Sequence, residues 1–307
     1  MLILISDAFD SSLEGKLAKY GEVTTDKERL PEADVVLVRS KTRCTRDYID
    51  QAPNLKLIIR GGVGTDNIDK AYCAEKGIVV NNTPKAPSIA VAELAFAMML
   101  AVPNHIVKAN ESMRMGEWLK KELKRTELHG KTLGLVGIGN IAQAVAVRAQ
   151  AFGMHVIAFD KFVESSRLAV LKPTLEEMVA EADYISLHVP LTDETKHMIN
   201  KDVIAKMKDG VIIINTGRGR TVASKDIIAA LESGKIAAYA TDVWPKDPPD
   251  ADYPLLKAPN VFMTPHLGAS SKENLLRIGE EARAEFLDYQ GKGMSLIEMS
   301  HRSKEYD

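Results

Sequence analysis

The feature that most constrains this chain is a short glycine-rich run, Gly137-Ile138-Gly139-Asn140-Ile141-Ala142, near the middle of its 307 residues. The run follows an apolar segment, Thr132–Val136, typical of a β-strand, and precedes a segment, Gln143–Ala151, typical of a helix. In that setting a G-x-G-x-x-[G/A] run lets the backbone turn tightly and approach a pyrophosphate, with a helix N-terminus directed at the negative charge. The run therefore predicts a dinucleotide-binding unit that begins in mid-chain.

Asp160 supplies the second part of this fingerprint. It ends the next apolar segment, Val156–Phe159, about twenty residues after the glycines, where the ribose hydroxyls of a dinucleotide need an acceptor. Its negative charge would repel a 2′-phosphate, which favours NAD over NADP, although the adjacent Lys161 works against that preference. Glycines also allow tight turns without any ligand, so it is the combination that predicts NAD binding.

Segments typical of buried strands alternate with helical periodicities along most of the chain, and they form two sets. This alternation predicts two doubly wound α/β domains, each a parallel sheet with helices on both faces. We expect a substrate domain made of residues 1–99 and 284–307, with a Rossmann NAD-binding domain over residues 100–283. The first crossing between the domains is predicted at a long helix, Ser88–Leu100, and the polar segment that follows it, Lys108–His129.

Composition narrows the classes of partner. The chain is 45% hydrophobic and 27% charged with a net charge of -2, which argues against nucleic acid or an anionic membrane as the main partner. Cys44 and Cys73 have the spacing of neither a metal site nor a disulfide framework, so reduced thiols and a cytoplasmic location are expected, with no metal. The apolar segment Val91–Val102 contains Glu93 and is too short to span a bilayer.

Three residues that follow predicted strands of the second set, Arg218, Asp247 and His266, are candidates for hydride-transfer chemistry. Reduction of a 2-keto acid needs a cation for the carboxylate and carbonyl, a proton donor, and a group that keeps the donor charged. Ligands of an open α/β sheet bind outside the carboxyl ends of its strands, where all three residues fall. Each also has a structural explanation: a loop cap for Arg218, a turn for Asp247 and a hydrogen bond for His266.

Longer motifs extend this interpretation to nearly the whole chain. They run from Val38-Arg39-Ser40, through Arg60-Gly61-Gly62-Val63-Gly64-Thr65-Asp66-Asn67-Ile68-Asp69, to His266-Leu267-Gly268-Ala269-Ser270. The set resembles the D-2-hydroxyacid dehydrogenase family, and most closely its D-3-phosphoglycerate dehydrogenase branch. The resemblance implies a flavodoxin-like substrate domain, NAD as the cofactor and a homodimer formed through the NAD-binding domains. Because the chain ends at residue 307, a C-terminal regulatory domain is not expected.

The resemblance also implies catalytic roles. Arg218 would hold the substrate carboxylate and polarise its keto oxygen, and His266 would protonate that oxygen. Asp247 stands where the family usually has the glutamate that orients the histidine, so a weaker pairing or a shifted loop is expected. Asp242 resembles the aspartate that contacts the nicotinamide carboxamide.

Cofactor and substrate contacts follow in the same way. The cofactor contacts implied are Gly137, Gly139, Asn140, Ile141, Asp160, Val189, Pro190, Thr195, Thr216, Gly217, Arg218, Asp242, His266, Gly268 and Ala269. The N–H groups around Gly62, Val63 and Gly64 would receive the substrate carboxylate, since glycine lets the main chain approach closely.

Arg39 and Arg60 match arginines that bind the substrate phosphate in the phosphoglycerate branch. Lys120 stands where that branch usually has a third arginine, and a solvated basic surface is the alternative explanation for it.

Three functions remain open from the sequence. The first is the NAD-dependent interconversion of 3-phosphoglycerate and 3-phosphohydroxypyruvate, the first step of serine biosynthesis. The second is a hydroxypyruvate or glyoxylate reductase with the same chemistry. The third is an NAD-sensing scaffold like the transcriptional corepressors that share this fold.

Overall fold

The computed structural model describes the backbone of residues 1–302 and the side chains of residues 1–291. Its strands are β1 (Leu2–Ile5), β2 (Glu22–Thr24), β3 (Val35–Val38), β4 (Leu57–Arg60), β5 (Val79–Asn82), β6 (Thr132–Val136), β7 (His155–Phe159), β8 (Val170–Leu171), β9 (Tyr184–Leu187), β10 (Val211–Asn215), β11 (Ile236–Thr241) and β12 (Val261–Met263). Its α-helices are α1 (Ser12–Leu17), α2 (Arg46–Asp50), α3 (Lys70–Glu75), α4 (Ser88–Ala101), α5 (Ile106–Arg114), α6 (Asn140–Ala151), α7 (Leu175–Glu181), α8 (Lys201–Lys206), α9 (Ser224–Glu232) and α10 (Lys272–Arg302).

The chain divides into two compact units, which we call the terminal unit (Met1–Pro87 and Ser271–Asp307) and the central unit (Ser88–Ser270). Each unit has its own parallel sheet, so the predicted fold class, with one α/β domain inserted in the sequence of another, is confirmed. Residues 303–307, which the prediction gave to the substrate domain, lie outside the described residues.

The terminal unit is built on a five-stranded sheet of order β2-β1-β3-β4-β5, in which every pair is parallel. This is the strand order of flavodoxin-like folds. Side chains alternate between the two faces, as the period of a strand requires. On one face Ile3 and Ile5 pack with Ala282 and Phe286 of α10, and on the other Leu4 packs in a second apolar cluster.

The central unit is built on a seven-stranded parallel sheet of order β12-β11-β10-β9-β6-β7-β8. The chain begins this sheet at β6, adds β7 and β8 on one side, and then returns to add β9 to β12 on the other. The carboxyl end of β6 is therefore the point where the strand order reverses, which is where open α/β sheets bind ligands. The glycine-rich run begins there.

Helix α4 lies in the core of the central unit, which corrects the predicted domain boundary. Ala92, Ala95 and Met99 have no exposed surface and share a cluster with Ala142 and Ala146 of α6. Because this packing ties the whole helix to the central unit, the first crossing falls between residues 87 and 88 and not between residues 99 and 100. The return crossing falls between 270 and 271, since α10 already packs in the terminal unit.

Within residues 1–302, no single helix has the length and apolar composition to cross a membrane. The bent pair α4 and α5 meets that test only when the two helices are taken together, and α4 is largely buried in the core.

Candidate active site

The glycine-rich turn joins β6 to α6 at the switch point of the central sheet. Gly137 has φ +87°, and a Cβ there would lie 3.1 Å from the carbonyl oxygen of His188, so the turn requires glycine. A Cβ on Gly139, the residue before α6, would meet nothing within 4 Å. Ala142 is fully buried against the sheet. The first small residue thus makes the turn, the second leaves room for a ligand, and the third packs the helix.

Asp160 connects the end of β7 to this turn. Its Oδ2 accepts a hydrogen bond of 2.9 Å from the backbone N–H of Ile138, and its Oδ1 accepts one of 2.8 Å from that of Phe162. The carboxylate oxygens have further lone pairs, so Asp160 can still accept from ribose hydroxyls. The structure shows that Asp160 holds the glycine-rich turn in place, a role that is separate from its predicted contact with the ribose hydroxyls.

His188, at the carboxyl end of β9, was not identified from the sequence. Its Nε2 shares a hydrogen bond of 2.9 Å with Ser186 Oγ, and burial lowers the pKa of the imidazole to about 4, so the ring is neutral near pH 7. Its Nδ1 and Thr216 Oγ1 are buried without a hydrogen-bond partner among the described residues. Both residues lie just beyond the ends of adjacent strands, His188 after β9 and Thr216 after β10. The sequence signal that could have identified His188 is a polar residue directly after an apolar strand.

Arg218 lies just beyond β10 on a backbone fixed by its neighbours. Its carbonyl oxygen accepts hydrogen bonds from Asn215 Nδ2 at 3.0 Å and from Thr221 Oγ1 at 2.7 Å. Its Nη1 donates to the carbonyl of Gly217 at 2.8 Å. The buried Asn215 thus determines where the guanidinium leaves the sheet.

His266 and Asp247 form a direct pair. The imidazole Nδ1–H donates to Asp247 Oδ2 at 2.5 Å, with 36% of the histidine side chain and 45% of the aspartate side chain exposed. The shorter side chain of Asp247 therefore does reach the histidine. Because Nδ1 is taken by the carboxylate, Nε2 is the nitrogen that remains for a substrate.

Asp242 anchors the loop that carries His266. It is 2% exposed. Its Oδ1 accepts from Thr264 Oγ1 at 2.5 Å and from the N–H of Leu267 at 2.7 Å, and its Oδ2 accepts from the N–H of Gly268 at 2.8 Å. These bonds hold His266 at φ +56°, a left-handed conformation that is uncommon for residues other than glycine. The sequence predicted a nicotinamide contact for Asp242, and the structure shows that it also fixes this loop.

The remaining predicted cofactor residues lie on the loops at the same edge of the central sheet. Thr195 Oγ1 donates to the carbonyl of Pro190 at 2.6 Å, which closes the loop after β9, and Val189 lies against Gly137. Asn140 and Ile141 open α6, Thr216 and Gly217 follow β10, and Gly268 and Ala269 follow His266. Since all these strands are parallel, their carboxyl ends bring the predicted residues to one edge.

The predicted substrate residues of the terminal unit follow two adjacent strands, with Arg39 after β3 and Arg60 ending β4. The backbone N–H of Arg39 donates to Asp7 Oδ2 at 2.6 Å, and burial lowers the pKa of its guanidinium. Arg60 Nη1 donates to the carbonyl of Gly61 at 3.1 Å.

The loop after β4 leaves no room for a side chain at Gly62, which has φ +139°. A Cβ there would lie 1.5 Å from Arg60 Nη1. Val63 is 41% exposed, its carbonyl accepts from Asn82 Nδ2 at 2.6 Å, and Gly64 follows it. Lys120 belongs to the central unit, on the segment after α5.

Comparison with known proteins identifies the family. The sequence model of the D-isomer specific 2-hydroxyacid dehydrogenase NAD-binding domain matches residues 96–268. The chain belongs to the D-2-hydroxyacid dehydrogenases. The matched model is that of an NAD-binding domain in an oxidoreductase family, so the predicted family, enzyme class and cofactor are confirmed.

The individual relatives are named for different substrates. The chain is 50% identical over 288 residues to hydroxypyruvate reductase of Thermotoga maritima, covering 90% of this chain and 94% of that protein. It is 45% identical over 283 residues to D-3-phosphoglycerate dehydrogenase of Methanocaldococcus jannaschii, covering 88% of this chain but only 54% of that protein. The solved D-lactate dehydrogenase of Aquifex aeolicus, complexed with NAD and lactic acid, superposes with a TM-score of 0.84 at 30% identity, covering 95% and 96% of the two chains.

The residues of the central unit of this dehydrogenase fit NAD. Gly139 leaves open space at the start of α6, and Asp160 offers carboxylate oxygens at the end of β7. The unpartnered Thr216 Oγ1 and His188 Nδ1 add polar atoms that a bound ligand can satisfy. Within the described residues, no group of three or more His, Cys, Asp or Glu side chains could hold a metal ion.

Proposed function

We propose that this dehydrogenase interconverts 3-phosphoglycerate and 3-phosphohydroxypyruvate, the first step of serine biosynthesis. The observation that carries the proposal is the pair of arginines, Arg39 and Arg60, at the ends of the adjacent strands β3 and β4. Guanidinium groups suit phosphate recognition because their planar forks match its oxygens. The N–H groups of Val63 and Gly64 would receive the substrate carboxylate, since the N–H of Gly62 already donates to Thr83 Oγ1 at 2.7 Å.

The proposed chemistry rests on three residues of the central unit. Bound NAD supplies the hydride acceptor for oxidation at C2, and NADH the donor for reduction. Arg218 binds the carboxylate and polarises the keto oxygen, which stabilises negative charge as it develops there. His266 gives a proton from Nε2 to that oxygen in reduction and removes it in oxidation. Asp247 holds Nδ1 and so keeps Nε2 directed to the substrate.

A second candidate, hydroxypyruvate reduction, is favoured by one observation. The Thermotoga maritima relative is more similar than the phosphoglycerate dehydrogenases described, and the chain matches 94% of its length. The two candidates share every catalytic step and differ only in whether a phosphate is bound. The relatives named as enzymes favour catalysis over the third candidate, a corepressor-like scaffold.

The two substrates can be separated by initial rates of NADH oxidation with phosphohydroxypyruvate and hydroxypyruvate. We expect kcat/KM to be at least about tenfold higher for the phosphorylated substrate, since a charge-assisted pair with phosphate contributes about 1.5–3 kcal/mol. Arg60→Ala should remove most of that ratio. Arg46→Ala is the matched control, because Arg46 is an arginine of the same unit whose side chain is 62% exposed.

A ratio near one for the wild type, unchanged in Arg60→Ala, would refute the phosphate assignment and leave hydroxypyruvate as the substrate. No activity on any 2-keto acid of a panel that includes glyoxylate and pyruvate would leave only the scaffold function.

We also propose that the enzyme is a homodimer formed through the central unit. Large apolar side chains on α5 and the residues after it are exposed: Ile106 by 55%, Met113 by 56%, Met115 by 69% and Trp118 by 72%. Exposed apolar surface of this extent marks protein interfaces, and the resemblance to the family supports a second copy as the occupant. Light scattering should give a dimer for the wild type and a monomer for Trp118→Glu. Val170→Glu, at a side chain that is 64% exposed in the same unit, is the control.

A cytoplasmic location stays a prediction. Both cysteines, Cys44 and Cys73, are buried free thiols, which suits a reducing compartment.

A further inference from the structure

Lys161 is the cation that weakened the predicted preference for NAD over NADP, and the structure shows what holds it. Its Nζ donates to both carboxylate oxygens of Glu194, at 2.7 Å each. The same Nζ lies 5.9 Å from the centre of the Phe162 ring, within the range of a cation–π contact. Lys161 is thus engaged by Glu194 and Phe162.

The ion pair crosses the cofactor edge of the sheet. Lys161 follows Asp160 at the end of β7, and Glu194 lies in the loop after β9. In the sheet these strands lie on either side of β6, whose carboxyl end carries the glycine-rich turn. The pair therefore joins the two loops that flank the turn on which a dinucleotide lies.

We propose that Glu194 is a cofactor-specificity residue that excludes NADP by occupying Lys161. A 2′-phosphate needs a cation beside the ribose, and Asp160 already opposes it. With Glu194 in place, Asp160, Lys161 and Glu194 carry a combined charge of about −1, which repels a phosphate of charge about −2. Without the Glu194 charge, Lys161 becomes available to the 2′-phosphate and the combined charge falls to about zero.

The proposal concerns the cofactor alone and does not depend on which keto acid is the substrate. Its test is direct binding of NADH and NADPH to the full chain, measured by titration calorimetry without substrate. Glu194→Gln keeps the shape of the side chain and removes its charge. We expect it to lower the Kd for NADPH by about five- to thirtyfold while changing the Kd for NADH by less than about twofold.

Three controls show whether the gain in NADPH affinity acts through Lys161. The double variant Glu194→Gln with Lys161→Met should lose the gain. Asp193→Asn removes a charge from the neighbouring exposed residue of the same loop and should leave the NADPH to NADH ratio unchanged. The gain should also shrink in about 0.5 M salt, because exposed charges are screened.

Two results would overturn the proposal. One is a Glu194→Gln protein whose ratio of Kd for NADPH to Kd for NADH stays within about twofold of the wild-type ratio. The other is a gain that survives Lys161→Met or appears equally in Asp193→Asn, since the effect would then come from general charge and not from release of Lys161.

Discussion

Replacing the carboxylate of Asp242 by an amide should loosen the loop that carries His266. In Asp242→Asn one oxygen can still accept from Thr264 and Leu267, but an N–H₂ group replaces the oxygen that faces the N–H of Gly268. Two donors then face each other at a site where the side chain is only 2% exposed. One buried donor left unpaired costs about 1–3 kcal/mol, and the two remaining bonds lose their charge assistance.

We expect a total loss of about 3 kcal/mol in the free energy of unfolding of the central unit. For a unit of about 180 residues this lowers Tm by roughly 6–12 °C. The left-handed conformation of His266 would lose its support at the same time, so kcat should fall by at least about tenfold.

Differential scanning calorimetry of the protein without cofactor is the decisive assay. If Asp242 served only to contact nicotinamide, its replacement would leave the Tm of the cofactor-free protein unchanged. Asp252→Asn, the same change at an exposed position, is the control and should shift Tm by less than about 1 °C. A cofactor-free Asp242→Asn protein that melts within 1 °C of the wild type would refute the anchoring argument.

Three further outcomes follow from the site. Asp247→Asn should lower kcat/KM for keto acid reduction about tenfold, because a charge 2.5 Å from the His266 Nδ1 is lost, and Asp247→Glu should lower it less. His188 has a folded-state pKa of about 4, below its ordinary value, so the unfolded chain binds more protons and stability falls as pH drops from about 6.5 towards 4. By pH 4.5 the wild type should lose about 2 kcal/mol more than His188→Gln in urea unfolding. Gly62→Ala should displace Arg60 and raise KM for phosphohydroxypyruvate as Arg60→Ala does.

Each of these predictions has a result that would contradict it. An Asp247→Asn enzyme with wild-type kinetics would remove the orienting role of the carboxylate. Equal acid sensitivity of the wild type and His188→Gln would show that other groups dominate that pH range. Gly15→Ala is the control for Gly62→Ala, because Gly15 is an exposed helical residue with open space around the added Cβ, and the change should stabilise the terminal unit by about 0.5–1 kcal/mol. If Gly15→Ala raised KM for phosphohydroxypyruvate as much as Gly62→Ala, the steric argument at Gly62 would be wrong.

Local sequence determined much of the fold. Strand β6 has the bounds Thr132–Val136 that its apolar segment predicts, because fully buried parallel strands are continuous apolar segments. The short edge strands β2 and β8 were not predicted, since two or three partly exposed residues carry too little pattern. The glycine-rich run with Asp160 likewise fixed the cofactor, because close approach of the backbone to a pyrophosphate demands those residue types at that spacing.

Tertiary structure decided which partner each polar group has. The boundary at residue 88 depends on α4 packing against α6, a contact between residues more than forty positions apart that no local pattern reports. The reach of Asp247 to His266, the anchoring bonds of Asp242 and the engagement of Lys161 by Glu194 depend on loops from different strands meeting at one edge. The sequence by itself determined that NAD binds in mid-chain. Only the folded sheet decided which charges remain available beside it, because hydrogen bonds and ion pairs form over distances set by packing.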